Sequence, residues 1–388
     1  MSFAAGPNTL AIPGPSPVPE PVLNAMHHAG ADIYAGPVLE ADARLRGRLM
    51  RLAGTTQNLA TYIGNGHAGW EAATRNMLAP GDKALVITSG GFGEGWAQMA
   101  RELGVDVEEL AQPRDAAPDP VALAARLAAD AGHEIRAVLI AHVETTTGIR
   151  ADIPAMREAM GDHPALLAVD AIASMGCEPL ELDAWGIDVI VAASQKGLMC
   201  PPGLAMVWFS DRAEAQGREA GPYWNWRPRA HEPEIWRHWG GTPPVHLIWA
   251  ADAALDLIEA EGKPATHARH AGLARAVWAA FDAWGAGNPD IRCRVSDPAA
   301  RAHSVTAAFL PRSNALRAWC EAKAGVTLGV ALGLADPDMG LRVGHMGAAS
   351  AHMVLGVLAV MEAGMTALDI PHGPGAVEAA ARVIAELA

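Results

Sequence analysis

Cysteine is scarce in this chain, and its copies show no paired spacing. The four residues are Cys177, Cys200, Cys293 and Cys320. Without a CxxC pair, neither a disulfide framework nor a zinc site is predicted. Basic residues are also in deficit, since 29 Lys and Arg against 43 Asp and Glu give a net charge of −14. Nucleic acids and anionic membranes bind basic faces, so neither is an expected partner.

Long apolar runs are missing as well. No uninterrupted stretch approaches the roughly 20 residues that a membrane-spanning helix needs. Residues 1–4 lack the basic start of a signal peptide. What the chain does have is 51% hydrophobic and only 19% charged residues, enough to bury a core and unlike a disordered protein. We therefore expect a soluble cytoplasmic protein.

The length and the alternation of patterns predict two domains and an arm. A chain of 388 residues exceeds the size at which one core keeps growing. The proline-rich residues 12–19 cannot form regular structure, which predicts an N-terminal arm over residues 1–20. Apolar runs then alternate with amphipathic stretches, so residues 21–260 are predicted to form a large α/β domain with a mostly parallel sheet. Residues 261–388 are predicted to form a smaller α+β domain, with a strand near residues 304–310 and a helix over residues 314–324.

Seven short apolar runs are the predicted strands of the large domain. They cover residues 58–63, 84–88, 105–110, 137–141, 165–169, 187–192 and 204–209. Amphipathic residues 95–103, 120–129 and 153–160 are predicted helices between them. Residues 221–244 break this rhythm and are predicted to form a long structured loop. Its four tryptophans are more typical of packing or a dimer interface than of a cofactor site.

A lysine and an aspartate follow two of these predicted strands. Lys196 comes just after an apolar run in a loop of small residues, and Asp170, 26 residues earlier, ends another. The spacing allows one helix and one strand between them, so both side chains can lie at the same edge of neighbouring strands. A pyridoxal cofactor needs both, the lysine to hold it as an imine and the carboxylate to keep its pyridine nitrogen protonated. Alone, Lys196 would be a solvated surface lysine and Asp170 a helix cap.

A glycine-rich turn is the third element of the predicted site. Residues 64–73 begin Gly64-Asn65-Gly66-His67 and connect a predicted strand to a helix. Small residues let backbone N–H groups approach a phosphate, and a helix N-terminus favours its negative charge. The turn is neither GxGxxG nor a Walker loop, which argues against a nucleotide.

Together these segments resemble the class V branch of fold-type I pyridoxal-phosphate enzymes, in particular the alanine–, serine– and aspartate–glyoxylate aminotransferases. The resemblance runs from Pro13 to about Gly347. Its ordered motifs are Pro13-Gly14-Pro15, Gly64-Asn65-Gly66-His67, Glu144-Thr145-Thr146-Thr147-Gly148, Val169-Asp170, Ser194-Gln195-Lys196, Pro201-Pro202-Gly203 and Leu341-Arg342-Val343-Gly344. The resemblance implies a fold-type I enzyme that uses pyridoxal 5'-phosphate and works as a homodimer with shared active sites.

The resemblance also assigns the ring of the cofactor to particular residues. Lys196 would bind the cofactor covalently and move the substrate's Cα proton, while Asp170 would pair with the pyridine nitrogen. Ile172 would pack below the ring, and Phe92 takes the position where the family often has a stacked tryptophan. Thr145 would hydrogen-bond the phenolic oxygen.

The phosphate and the substrate have implied partners of their own. The phosphate would sit on Gly66, His67 and Gln195 and would receive Thr242 from the other subunit. Where the family commonly adds a tyrosine, this chain has Trp239, whose indole N–H donates but cannot accept a hydrogen bond. Arg342 would clamp the substrate's α-carboxylate, because a guanidinium matches a carboxylate with two parallel bonds.

Four functions remain as alternatives. Transamination from alanine, serine or aspartate to glyoxylate or pyruvate is the main hypothesis. Pyridoxamine–pyruvate transamination is the second hypothesis, because the turn at Gly64–His67 suits a phosphate rather than an unphosphorylated substrate that resembles the cofactor. A cysteine desulfurase needs a mobile cysteine, whereas Cys320 lies within a helical pattern. A dinucleotide-binding oxidoreductase would need the GxGxxG that this chain lacks.

Overall fold

The computed structural model describes residues 2–387, so Met1 of the predicted arm and Ala388 of the predicted small domain lie outside the described residues. In chain order the strands are β1 (Thr9–Ala11), β2 (Asn58–Gly64), β3 (Lys83–Thr88), β4 (Asp106–Ala111), β5 (Ile135–Ala141), β6 (Val143–Glu144), β7 (Ile149–Arg150), β8 (Leu166–Asp170), β9 (Val189–Ala193), β10 (Gly203–Phe209), β11 (Arg292–Cys293), β12 (Val305–Phe309), β13 (Val326–Val330) and β14 (Gly340–Gly344).

The helices alternate with these strands through most of the chain. They are α1 (Glu20–Met26), α2 (Pro37–Leu52), α3 (Gly66–Met77), α4 (Gly91–Glu102), α5 (Pro120–Ala128), α6 (Ile153–Ala159), α7 (Asp211–Ala215), α8 (Trp226–His231), α9 (Ile235–Trp239), α10 (Val245–Glu261), α11 (Lys263–Gly287), α12 (Ser313–Ala324), α13 (Ala351–Ala367) and α14 (Ala376–Leu387). No helix among residues 2–387 is long and apolar enough to cross a membrane.

A seven-stranded sheet lies at the centre of the large domain. Its order is β2-β10-β9-β8-β5-β3-β4. The pairs β8–β9, β5–β8, β3–β5 and β3–β4 are parallel, and only β10 runs against both of its neighbours. Apolar side chains cover both faces of the sheet in two separate clusters. The predicted mostly parallel α/β fold is confirmed, and each of the seven predicted runs forms one of these strands.

A second sheet has five strands, in the order β1-β13-β14-β12-β11. Helices α11, α12 and α13 pack against it, and α14 packs against α11 and α13, around a separate apolar cluster. The sequence predicts β12 but neither β13 nor β14. It also predicts no strand in the arm, yet β1 joins this sheet by parallel pairing with β13. The arm therefore connects the small sheet to the large domain. The predicted domain limits at residues 20 and 260 stay predictions.

The tryptophan-rich stretch is not the loop that the sequence predicts. Two short helices, α8 and α9, lie within residues 221–244, because Asn225 caps the first and Gly240 ends the second in the left-handed conformation. Trp226 and Trp239 are buried in the core, whereas Trp236 is exposed. Only part of this stretch is therefore available to a partner.

Candidate active site

A cavity of about 230 Å³ opens where β8 and β9 end. Eight of the residues predicted from the sequence line it: Gly66, His67, Phe92, Thr145, Asp170, Ile172, Gln195 and Lys196. Asn65, Trp70, Val143 and Ala173 are further lining residues that were not predicted. The sheet brings these side chains together because the carboxyl ends of parallel strands share one edge.

Asp170 lies at the floor of this cavity with only 5% of its surface exposed. Its Oδ1 accepts a hydrogen bond from the backbone N–H of Ile172 at 2.7 Å, and its Oδ2 accepts one from the indole N–H of Trp70 at 3.0 Å. Burial raises the pKa of the Asp170 carboxyl to about 7, although both hydrogen bonds and Lys196 act in the opposite direction. A cation placed next to this carboxylate would therefore be strongly favoured.

Lys196 faces the same cavity from the loop after β9. Its amine donates to the carbonyl of Pro13 in the arm. Burial lowers the pKa of the Lys196 amine to about 8, with the positive charge of Arg342 acting in the same direction and Asp170 opposing it. A lowered pKa leaves more of the amine unprotonated near neutral pH, and the unprotonated amine is the nucleophile.

The arm fixes the backbone of Lys196 as well as its amine. The hydroxyl of Ser16 donates to the Lys196 carbonyl at 2.7 Å, and the Ser16 N–H donates to the Gln195 carbonyl at 2.9 Å. Gly14 has a φ of +96°, and a Cβ there would collide with the lysine side chain. Glycine is thus required where the arm crosses Lys196. The sequence motif at residues 13–15 marked the arm but not this contact.

The turn at the start of α3 forms one end of the cavity. The Asn65 side chain caps the helix by accepting from the His67 N–H at 3.1 Å. Gly66 is buried against Ile172, and a Cβ at this position would overlap the isoleucine side chain. The N-terminus of α3 therefore opens toward the cavity with its backbone N–H groups, which favour an anion.

Two buried oxygens in the cavity wall have no hydrogen-bond partner among the described residues. They are Oγ1 of Thr145 and Oε1 of Gln195. Buried polar atoms are normally satisfied, so such atoms indicate a ligand that supplies the missing partner. With Asp170 and Lys196 in the same wall, the polar groups match the donors and acceptors that pyridoxal phosphate requires. The residues present therefore fit this cofactor.

Glu144 holds the loop that carries Thr145. Its buried carboxylate accepts from the N–H groups of Phe92 (2.9 Å) and Gly93 (3.1 Å) in the first turn of α4, and from Thr146. A carboxylate at a helix N-terminus is stabilised by the helix dipole. Glu144 thereby fixes Phe92 and Thr145 relative to each other. The sequence motif contained Glu144, but no role for it was predicted.

Arg342 reaches the site from β14 of the small sheet. Its Nε donates to the Val330 carbonyl at 2.8 Å and its Nη1 to the Thr145 carbonyl at 3.0 Å. Burial lowers the pKa of the guanidinium to about 10, so it remains charged at neutral pH. These two contacts direct the guanidinium to the backbone beside the cavity and leave Nη2 for an external acceptor.

The last two predicted residues lie elsewhere. The indole N–H of Trp239 donates to Oδ1 of the buried Asp42 at 2.8 Å, so within this chain it is engaged away from the cavity. Trp239 lines a separate, smaller cavity with Ser194 and Leu204. Thr242 is exposed just after α9. Neither residue is brought to Lys196 by the fold of a single chain.

Comparison with known proteins gives a consistent result. The family described as aminotransferase class-V matches residues 10–367. The chain is 36% identical over 384 residues to L-aspartate–glyoxylate aminotransferase of Paracoccus denitrificans, and the matched region covers 97% of this chain and 95% of that protein. It is 32% identical over 389 residues to serine–glyoxylate aminotransferase of Methylorubrum extorquens, with coverage of 97% and 95%.

A solved structure extends this similarity to the whole fold. Pyridoxamine–pyruvate aminotransferase from Mesorhizobium loti superposes with a TM-score of 0.90 at 26% sequence identity, covering 99% of this chain and 98% of that one. The family resemblance and the fold-type I architecture predicted from the sequence are confirmed.

The burial of Asp170 predicts an unusual dependence of stability on pH in the ligand-free protein. The carboxyl's pKa rises from 3.8 to about 7 on folding, so the folded state holds its proton more tightly. Its contribution to stability is present below pH 4 and is lost as the pH rises through 7. We expect Asp170→Asn to gain stability relative to wild type between pH 5 and pH 8, measured by urea unfolding.

Asp183→Asn is the matched control for this measurement. Asp183 has its pKa lowered, so it is ionised in both states across that pH range. The control should show the same change in the free energy of unfolding between pH 5 and pH 8 as wild type. If the free energy of unfolding of Asp170→Asn also changes as in wild type, Asp170 does not carry the shifted pKa.

Proposed function

The chain belongs to the class-V aminotransferase family, and from that premise we propose that it uses pyridoxal phosphate to move an amino group from a small L-amino acid to glyoxylate or pyruvate. Alanine, serine and aspartate are the proposed donors. The observation that carries the proposal is the cavity in which Asp170 and Lys196 meet beside two unpartnered buried oxygens. The relatives named for aspartate and serine as donors and glyoxylate as acceptor support the substrate class.

Different residues of the chain would hold different parts of the cofactor. When bound, pyridoxal phosphate supplies a carbonyl carbon that reacts with amines and a ring that accepts electrons. Asp170 would pair with the ring nitrogen, and Phe92 and Ile172 would hold the ring. Thr145 Oγ1 would bind the phenolic oxygen. The α3 N-terminus and Gln195 would bind the phosphate.

Lys196 and Arg342 act on the substrate. With its pKa near 8, Nζ of Lys196 can accept the proton from the substrate's Cα and return it. Arg342 would bind the α-carboxylate through Nη2, which fixes the direction of the Cα–H bond relative to Lys196. Arg342 cannot turn freely, because Nε and Nη1 are held by backbone carbonyls.

Two alternatives differ from this proposal in specific residues. Pyridoxamine–pyruvate transamination is favoured by the structural similarity, but an unphosphorylated substrate would leave the helix N-terminus at Gly66 without an anion. A desulfurase needs a reactive cysteine near Arg342. Cys320 is fully buried within α12, and burial raises the pKa of its thiol to about 12. A thiol of this kind is a poor nucleophile.

Lys196 should be the covalent anchor of the cofactor. Lys196→Ala is expected to lose the cofactor adduct that borohydride traps, together with nearly all turnover, because no other amine lines the cavity among the described residues. Mass spectrometry of the reduced protein measures the adduct. Lys323→Ala, which removes an exposed lysine on α12, should keep it. A trapped adduct on the Lys196→Ala chain would contradict the assignment.

The donor and acceptor can be separated by one assay panel. We expect measurable transfer from at least one of alanine, serine and aspartate to glyoxylate or pyruvate, read as kcat/KM for each pair. Arg342→Gln should lower kcat/KM for every donor by about 100-fold, because the α-carboxylate is common to all of them. Activity confined to pyridoxamine with pyruvate would instead establish the second alternative.

We also propose that the enzyme is a homodimer whose sites are shared. Thr242 is exposed at the end of the tryptophan-rich stretch, which also exposes the large side chains of Trp236 and Tyr223. Tyr34, between α1 and α2, is exposed as well. Trp236 and Tyr34 are in contact, with ring centroids 5.7 Å apart. Exposed aromatic side chains of this kind are typical of protein interfaces. The partner's Thr242 would then complete the phosphate site.

Mixing of inactive variants tests the shared site. A Lys196→Ala chain and a Thr242→Ala chain are each expected to be impaired, and a heterodimer of the two should regain one site with both residues intact. The control mixture combines Lys196→Ala with Asp170→Asn. These residues line one cavity of one chain, so their heterodimer contains no intact site. Recovery of activity only in the first mixture supports the model, and a stable active monomer in sedimentation would overturn it.

A further inference from the structure

Four arginines line another cavity, of about 640 Å³, which shares no lining residue with the cavity of Lys196. We call it the arginine cleft and define it by Arg114, Arg292, Arg294 and Arg301. Arg114 follows β4 of the large sheet, Arg292 and Arg294 lie in or next to β11 of the small sheet, and Arg301 lies in the connection between β11 and β12. The cleft thus lies where the two sheets' edges approach each other.

The charges in the cleft are unusual for this chain. Acidic residues outnumber basic ones, with a net charge of −14, so carboxylates are plentiful. Even so, Arg292, Arg294 and Arg301 form no salt bridge with any of the described residues 2–387. Only Arg114 is paired, with Glu94. Three neighbouring guanidinium groups without carboxylate partners are therefore concentrated at one site.

Neutral groups position these guanidinium groups instead. Arg294 donates from Nη1 to the carbonyls of Thr146 (3.2 Å) and Leu332 (3.3 Å). Arg301 donates from Nε to the Val295 carbonyl at 2.8 Å and stacks 5.3 Å from the Trp278 ring. Carbonyls and rings orient a cation but do not neutralise its charge.

Arg292 completes this arrangement at the edge of the small sheet. Its guanidinium lies 4.4 Å from the centre of the Phe309 ring, which holds it against the cleft wall. The side chain is otherwise exposed. It therefore presents a pre-oriented positive charge that solvent and a ligand can reach.

Arg294 makes the absence of a counterion costly. It is only 9% exposed and has no ion-paired carboxylate among the described residues, and burial lowers the pKa of its guanidinium, with the charge of Arg114 acting in the same direction and the more distant charges of Glu144 and Asp115 opposing it. A buried charge is strongly destabilising unless an opposite charge compensates it. Two carboxylates, Asp115 and Asp282, lie in the cleft wall, but both are exposed. The four arginines therefore leave a positive excess.

We propose that the arginine cleft binds a small oxyanion ligand, a phosphate or a di- or tricarboxylate, at a site separate from the aminotransferase cavity. Planar guanidinium groups bind carboxylate and phosphate oxygens with paired hydrogen bonds, and several converging on one cleft favour a ligand with more than one negative charge. The proposal does not depend on the transamination chemistry. Arg294 donates to the carbonyl of Thr146, so an anion bound by Arg294 would be linked to the residue next to Thr145.

Titration calorimetry of the cofactor-loaded enzyme tests the proposal with two probes, inorganic phosphate and citrate. We expect saturable binding of at least one probe with one site per chain, weakening as the ionic strength rises. The probe that binds more tightly identifies the kind of anion. Arg292→Gln removes an exposed guanidinium without disturbing the core, and it should weaken binding by about tenfold. Arg292→Gln combined with Arg301→Gln should abolish it.

Two further variants separate the cleft from other anion sites. Arg136→Gln removes an exposed arginine at the start of β5 and should bind the probe like wild type. Arg342→Gln alters the substrate site and should also retain binding. The proposal is overturned if wild type binds neither probe saturably, if Arg292→Gln binds with wild-type affinity, or if Arg342→Gln alone removes the binding.

Discussion

The buried carboxylate of Asp170 is the constraint on which the rest of the site depends. A charge at the end of a buried strand is unfavourable unless compensating groups are fixed in place. The indole of Trp70 and the backbone of Ile172 supply two donors, yet the pKa of the carboxyl still rises to about 7. Because the two donors do not fully offset the cost of burying this carboxylate, the cavity favours a positively charged group beside Asp170. A protonated pyridine ring is such a group.

Glu144 shows how the same principle fixes the rest of the cavity wall. Its carboxylate is as deeply buried as Asp170, but it is satisfied by two N–H groups of the α4 N-terminus and by Thr146. Because these donors come from a helix and from its own loop, Glu144 couples Phe92 to Thr145. Arg342 holds the carbonyl of Thr145 from the small sheet. The two sheets thus meet on one loop, and a shift of either sheet would move the groups that line the cavity.

The sequence predicted those parts of the site that local patterns determine. Lys196 and Asp170 follow apolar runs, and a parallel sheet places such residues at one edge, so their spacing allowed them to lie close together. The contact between Trp70 and Asp170 could not be predicted in this way, because the two residues are 100 positions apart and no periodicity marks their contact. Trp239 was assigned by position in a family motif. Its indole N–H is engaged by Asp42, a partner that the motif does not contain.

The missed strands have a related physical cause. Strands β13 and β14 contain Gly329, Gly340 and Gly344, residues that weaken a strand pattern. In the structure they mark close backbone approach: a Cβ on Gly329 would lie 2.7 Å from Pro13 Cδ and 2.9 Å from the Arg342 carbonyl. The arm runs against Gly329 and Gly344 on its way from β1 to Lys196. Glycine in β13 and β14 is therefore the signal that the arm, the strand of Arg342 and Lys196 pack together. Replacing these glycines would push the arm away and move Pro13, the acceptor of the Lys196 amine.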